Sequence, residues 1–310
     1  MHAGSDRTRL AVALIVFAMV SLSIMDAMVK GLTDAFTLWQ LCATRALFSC
    51  VILAIVVAAG GGATRLLELF RPWVVVRSAL FVGMWLAYYA ALPSIDLSVA
   101  ATALYTIPLF IAGFASLLAG EPVGLRRWLG IVLGFAGVVV ILRPGGEDFS
   151  FMALLPVLAA MLYALAAIVT RNKCPNESPF VLAFGLHTGL LLAGVVGIVA
   201  IALIGPDPSS NRFVLGSWVP MGLEQWAIMG AFGTALVVVT AAVAKAYQAG
   251  PSAIVGTFDY SYLVFASLWG VIFFGETLDL LMIVGIAMIV AAGMLVLWQK
   301  RRPVAVTSDV

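Results

Sequence analysis

LFIAGFASLLAGEPVGLRRWLGIVLGFAG (residues 109–137) and VFASLWGVIFFGETLDLLMIVGIAMIVAA (264–292) repeat one pattern: an apolar run, a Gly-Glu break, a second apolar run. Glu121 falls on Glu276, Gly120 on Gly275 and Gly130 on Gly285, each pair 155 residues apart. Tyr105 falls on Tyr260 in the same register. A helix, a tight break and another helix therefore occur twice, and the rest of the chain is read outward from that repeat.

The 310 residues are 63% hydrophobic and 10% charged. A soluble domain is about 45–50% apolar and about 25% charged. The excess goes beyond what one buried core requires. Apolar stretches close to the ~20 residues that span a bilayer as a helix recur along the chain. They fall near 10–31, 36–59, 73–92, 96–119, 125–142, 150–170, 179–204, 223–247, 251–274 and 278–299. The fold class expected is an all-α polytopic membrane protein with ten transmembrane helices. Five spans precede the point where the pattern restarts, and an odd-numbered repeat enters the membrane from the opposite side. The repeat is therefore inverted, five-plus-five, an architecture of secondary transporters that places a substrate site between the halves. The expected division is 1–143 (helices 1–5), 144–302 (helices 6–10) and a short cytoplasmic tail, 303–310.

Lys30, Arg143 and Arg212 fall on one side of this layout, Arg45 lies within a span, and the remaining lysines and arginines fall on the other side. The positive-inside bias puts both termini in the cytoplasm. Arg7 and Arg9 precede the first apolar stretch as in a signal peptide, but the stretch is long and no small-x-small site follows it, so it reads as a retained helix. The dispersed charges form no basic patch for nucleic acid. Cys42, Cys50 and Cys174 lack metal spacing. No HExxH, serine–lysine or paired-aspartate motif suggests an enzyme. No metal and no cofactor is expected.

A charge in hydrocarbon needs a partner or a wet cavity. Asp26 lies about five residues from the outer end of helix 1, ~8 Å deep at 1.5 Å per residue. Two readings stand. Lys30, four residues on, reaches the interface and holds Asp26 as a structural pair. Alternatively Asp26 meets Arg45, ~13 Å deep in helix 2, whose fork suits a carboxylate of the protein or of a substrate. In the second half, His187 sits opposite Arg45 by repeat alignment, and Asp259 is a buried carboxylate for which Lys245 is a candidate partner. A histidine beside a carboxylate suits a coupling proton; one hydrogen-bonded to backbone is the plainer reading. Trp39 and Gln40, Trp85, Tyr88 and Tyr89, Tyr105, Tyr163, Tyr247 and Gln248, and Tyr260 and Tyr262 gather around these charges and suggest an amphipathic cavity lining. Gly130, Gly134 and Gly137, with Gly285 and Gly293, suit close helix packing. Glu121 and Glu276 read as caps of the helices they precede.

Ten spans, the inverted repeat, the Gly-Glu breaks in IPLFIAGFASLLAGEPVGLRRWLGIVLGFAGVVVI (107–141) and FDYSYLVFASLWGVIFFGETLD (258–279), and TRALF (44–48) resemble the drug/metabolite transporter superfamily. The chain is similar to two tandem EamA-type units over nearly its whole length. The resemblance implies a basket of helices 1–4 and 6–9 around a central cavity, with helices 5 and 10 outside. SIMDAMVK (23–30) and FDYSYL (258–263) resemble a branch that imports S-adenosylmethionine or riboflavin.

The expected function is a secondary transporter of a small polar or amphipathic metabolite in a bacterial cytoplasmic (inner) membrane, working by alternating access, with efflux ahead of uptake. Arg45, Trp39, Gln40, Tyr88, Tyr105, Tyr163 and Tyr260 are the substrate-binding candidates. Asp26, Asp259 and His187 are candidates for coupling or gating. The partners expected are a small-molecule substrate, the lipid bilayer and a coupling proton or other ion. A membrane scaffold or accessory subunit is the alternative from another class.

Overall fold

The computed structural model describes residues 2–107, 109–111, 113–114, 125–143, 150–174, 176–209, 211–249, 258 and 260–297. The main helices are α1 (His2–Gly31), α2 (Leu38–Gly61), α3 (Pro72–Ala91), α4 (Leu97–Leu104), α5 (Leu125–Leu142), α6 (Leu154–Lys173), α7 (Pro179–Ile204), α8 (Leu223–Ala249), α9 (Ser261–Phe274) and α10 (Leu280–Leu297). No strand occurs among the described residues. Among the described residues six helices are long and apolar enough to cross a membrane: Thr8–Gly31, Leu38–Gly60, Pro72–Ala91, Phe151–Thr170, Pro179–Ile204 and Leu223–Val243. Leu97–Ile111, Trp128–Leu142, Ser261–Phe274 and Leu280–Ala292 are shorter apolar helices.

Local chemistry sets the ends. The Thr37 hydroxyl accepts from the Gln40 N–H and caps α2. Pro72 and Pro179 occupy first-turn positions of α3 and α7, where a missing N–H costs nothing. Gly205 and Gly275 close α7 and α9 in the left-handed conformation, φ 59° and 65°.

The helices are apolar on almost every face, so no narrow stripe marks the packed side. Large side chains such as Ile55, Val132, Leu192, Leu203, Val264 and Leu280 point outward, each more than half exposed. On a soluble protein such a surface would be a liability; against lipid it is the solvated surface, since each helix satisfies its own backbone. The chain is a multi-pass membrane protein. Inside, Ile15, Leu41, Leu92, Leu97, Leu190 and Leu263 belong to one continuous core.

The packing order is regular. Helix α1 packs on α8 and α9, α2 on α7 and α8, α3 on α6 and α7, α4 on α6 and α9, and α5 on α10. Moving every label five places along maps α1–α8 onto α3–α6, α1–α9 onto α4–α6 and α2–α8 onto α3–α7. The pairs α2–α7, α4–α9 and α5–α10 map onto themselves. Every helix pair packed across the midpoint of the chain thus has its image.

Small residues make these crossings possible. A Cβ at Gly137 would lie 2.9 Å from the Gly285 carbonyl oxygen, so α5 and α10 meet backbone to backbone there. A Cβ at Gly194 on α7 would lie 2.6 Å from the Ala43 nitrogen of α2. Gly134, read as part of the same smooth face, receives the Leu109 side chain instead. At the end of this pair Arg143, at φ 43°, is salt-bridged to Asp279 at the start of α10.

Candidate functional site

The first charged side chain met along α1 beyond its opening turns is Asp26, and it turns inward, 1% exposed. Its carboxylate has two hydroxyl donors. Tyr89 from α3 donates to Oδ1 at 3.1 Å, and Tyr262 from α9 donates to Oδ2 at 2.5 Å. Arg45 from α2 is equally buried and donates through Nη1 to the Tyr89 hydroxyl at 2.9 Å. The cation and the anion are thus bridged by Tyr89 rather than joined directly. The Arg45 guanidinium also lies 4.6 Å from the centre of the Tyr89 ring and 5.6 Å from that of Trp85, within cation–π range. The Tyr88 and Tyr262 hydroxyls share a hydrogen bond of 2.9 Å. Tyr105 from α4 stacks on Tyr262, centroids 5.1 Å apart, and lies 5.6 Å from Tyr260.

This cluster joins α1, α2 and α3 of the first half to α9 of the second. A buried charge without compensation is costly, and the Tyr89 bridge with its neighbouring rings supplies that compensation. Among the described residues, Arg45 Nε and His187 Nδ1 are buried without a hydrogen-bond partner. His187 projects from α7, whose Gly194 and Gly197 press on α2 two turns further along.

Several expected partners differ. Lys30 does not hold Asp26. Its Nζ donates to the Ile95 carbonyl at 2.7 Å and pairs with Glu276 at 2.9 Å. Glu276 does cap a helix, but that helix is α4, not the α10 it precedes. Its Oε1 accepts from the Leu97 N–H at 2.6 Å, and its Oε2 accepts from the Ser98 N–H at 3.1 Å and the Ser98 hydroxyl at 2.8 Å. Burial would push this carboxyl up, but the Leu97 N–H, Lys30 and Ser98 outweigh it and hold Glu276 below the usual glutamate range. The neighbouring Asp96 is raised, first by burial and then by the charge on Glu276, with Lys30 opposing.

Trp39 and Gln40 serve the α7–α8 linker. Trp39 Nε1 donates to the Val214 carbonyl at 2.8 Å. The Gln40 amide donates to the Val219 carbonyl at 2.7 Å and accepts from its N–H at 3.2 Å. Tyr163 packs edge-on against Phe81, 5.2 Å away and one turn along α3 from Trp85. Asp259 and Glu121 lie outside the described residues. Lys245 borders a separate cavity of about 280 Å³ between α7 and α8, floored by Leu53 of α2. Among the described residues no group of three His, Cys, Asp or Glu is placed to hold a metal.

Residues 9–143 and 150–298 each match the sequence profile of the EamA-like transporter family. The chain belongs to that family, within the drug/metabolite transporter superfamily.

Its relatives are transporters by name. A riboflavin transporter of Rhizobium johnstonii is 31% identical over 74% of this chain and 72% of its own. The pseudopaline exporter CntI of Pseudomonas aeruginosa is 24% identical over 93% and 95%. An S-adenosylmethionine uptake transporter of Rickettsia bellii is 25% identical over 92% of each chain. A solved crystal structure that covers 94% of this chain and 96% of its own superposes with a TM-score of 0.59 at 21% identity, which supports the fold.

Tyr89 and Tyr262, the two hydroxyls on Asp26, belong to the expected cavity lining but not to the substrate-binding candidates. Both stood in the sequence beside a candidate, next to Tyr88 and two residues from Tyr260. Nothing in one-dimensional spacing says which of two adjacent tyrosines faces a given helix.

Proposed function

We propose that this protein is a secondary transporter that moves a small polar or amphipathic metabolite across a bacterial cytoplasmic membrane by alternating access. The observation that carries this reading is the Arg45–Tyr89–Asp26–Tyr262 chain, fully buried and shared between the halves. Ten spans in an inverted five-plus-five repeat, divided as 1–143 and 144–302, form the framework. It is supported by the exchange symmetry of the helix packing. Both termini lie in the cytoplasm, which puts Lys30 and Glu276 at the outer face and Arg71 and Glu177 at the inner face.

In this mechanism Arg45 receives an anionic or hydrogen-bond-accepting group of the solute through its unpartnered Nε, with His187 beside it. Trp85, Tyr88 and Tyr105 offer ring faces to a planar moiety. Asp26 exchanges its hydroxyl partners as the halves rock and is the coupling candidate. Net export is the direction proposed. The uptake reading is carried by the relatives named for S-adenosylmethionine uptake.

Purified protein in proteoliposomes tests the substrate class. Riboflavin and S-adenosylmethionine, the solutes named for relatives, serve as probes because both present a planar ring. Flux of either one, lost in Arg45→Ala, is expected. Intact protein that moves neither would overturn the planar-ring class.

A further inference from the structure

The carboxylate of Glu276 sits in the turn between α9 and α10, in the second half, yet all but one of its side-chain partners belong to the first turn of α4 and the rest to α1. One residue thus ties the two halves together at the end of the molecule just above Asp26. We propose that Glu276 with Lys30 is the latch of the outer gate: it holds the α9–α10 turn against α1 and α4, and its release opens the buried cluster to that face. This rests on the transporter reading above, and it adds a gate to it.

The local sequence is shaped for this contact. Gly275 takes the left-handed conformation, φ 65°, which turns the chain back over the end of α9. The Glu276 N–H then bonds the Gly270 carbonyl at 3.2 Å. A Cβ at Gly270 would collide with the Glu276 carboxylate, so that glycine leaves the space in which the side chain folds back. Lys30 is fixed from a third side by the Phe274 ring, 5.0 Å from Nζ. Its side chain is 14% exposed and that of Glu276 only 3%. Charge-assisted bonds in such surroundings are strong, and their partners lie up to 246 residues away in the chain.

The latch also lies in the way. Lys30 is one helical turn from Asp26 on the same face of α1. Asp26, Arg45, Tyr88, Tyr89 and Tyr262 are all at most 2% exposed. Tyr262 stands in the first turn of α9 and Glu276 just past its last, so moving the outer end of α9 away from α4 requires the bonds to Leu97 and Ser98 to break.

Cys42 is a native probe. It is fully buried, one turn from Arg45 on α2. With Cys50→Ser and Cys174→Ser as background, labelling of Cys42 by a membrane-impermeant maleimide added outside reports opening of that face without any substrate. The readout is therefore separate from transport, and its failure is distinct from failure of the transporter reading. Glu276→Gln is expected to raise the labelling rate about a hundredfold and Ser98→Ala about tenfold, at matched membrane abundance. Should Glu276→Gln fail to accumulate, Lys30→Met/Glu276→Gln, which removes both charges, and Ser98→Ala carry the test. Rates unchanged from the parent in folded Ser98→Ala and in the folded double variant would overturn the latch.

Discussion

The two ends of the molecule are tied differently. At the end where α1 meets α2, one contact between the halves is buried, for Glu276 accepts from Leu97, Ser98 and Lys30 with 3% of its side chain exposed, while Arg143–Asp279 at the same end is solvated. At the opposite end Arg71 forms a forked pair with Glu177 at 2.7 and 2.8 Å, but its side chain is 53% exposed. Arg77 there has no carboxylate among its hydrogen-bond partners; it donates to the Thr170 hydroxyl and the Leu182 carbonyl. Solvated pairs exchange partners with water at little cost. Buried ones resist until all their bonds go together. The difference teaches that equal counts of ion pairs need not give equal closure, because their surroundings set how hard each end is to open.

The largest expected effect follows from removing the acid at each end. Glu276→Ala leaves Lys30 and two N–H groups without their acceptor, a loss of about 3–5 kcal/mol. Glu177→Ala leaves Arg71 to water and costs ~0–1 kcal/mol. Unfolding midpoints in detergent compare them, and equal losses would erase the distinction between the ends. Tyr262→Phe comes next. It removes the donor to Asp26 that crosses the halves, a charge-assisted bond of about 1.5–3 kcal/mol, read by the same unfolding midpoint.

A smaller, graded effect comes from acid. Glu276 is held below the usual glutamate range in the folded protein, so its contribution is fully present above that range. It is lost as the pH falls through the depressed value. Opening of that face, read as the Cys42 labelling rate divided at each pH by that of Glu276→Gln so that the pH dependence of the thiolate cancels, therefore stays flat through neutral pH and changes only in acid. A rise centred near neutrality would assign the gate to another group. Smallest of all, Arg71→Ala leaves the unfolding midpoint close to that of the parent, since the side chain is 53% exposed, and the shift shrinks further in high salt.

Much of the architecture was legible before any coordinates. Apolar length located α1 through α10 to within a few residues at most ends, because a helix in lipid has few other ways to satisfy its backbone. The Gly-Glu break placed the end of α9. Depth counting put Asp26 and Arg45 within reach of one another, and the structure brings them together through Tyr89. Azimuth was not legible. Asp26 and Lys30 share a face of α1, yet Lys30 finds Glu276, a partner 246 residues away. Counting along one helix says nothing of which turn from the other half arrives there. The same limit hid the contacts of Trp39 and Gln40 with the irregular linker, where no periodicity guides a reading. Glu276 was recognised as a cap because it opens a helix in sequence; only the fold shows that the N-terminus it caps is that of α4.

The central claim is that the buried cluster between the halves handles a solute. The most direct measurement is untargeted metabolite profiling of cells and medium, comparing strains that express the wild type, Arg45→Ala at matched membrane abundance, and empty vector. The account predicts at least one solute whose distribution between cells and medium shifts with the wild type alone, outward for export. A shift that persists unchanged in Arg45→Ala would contradict it.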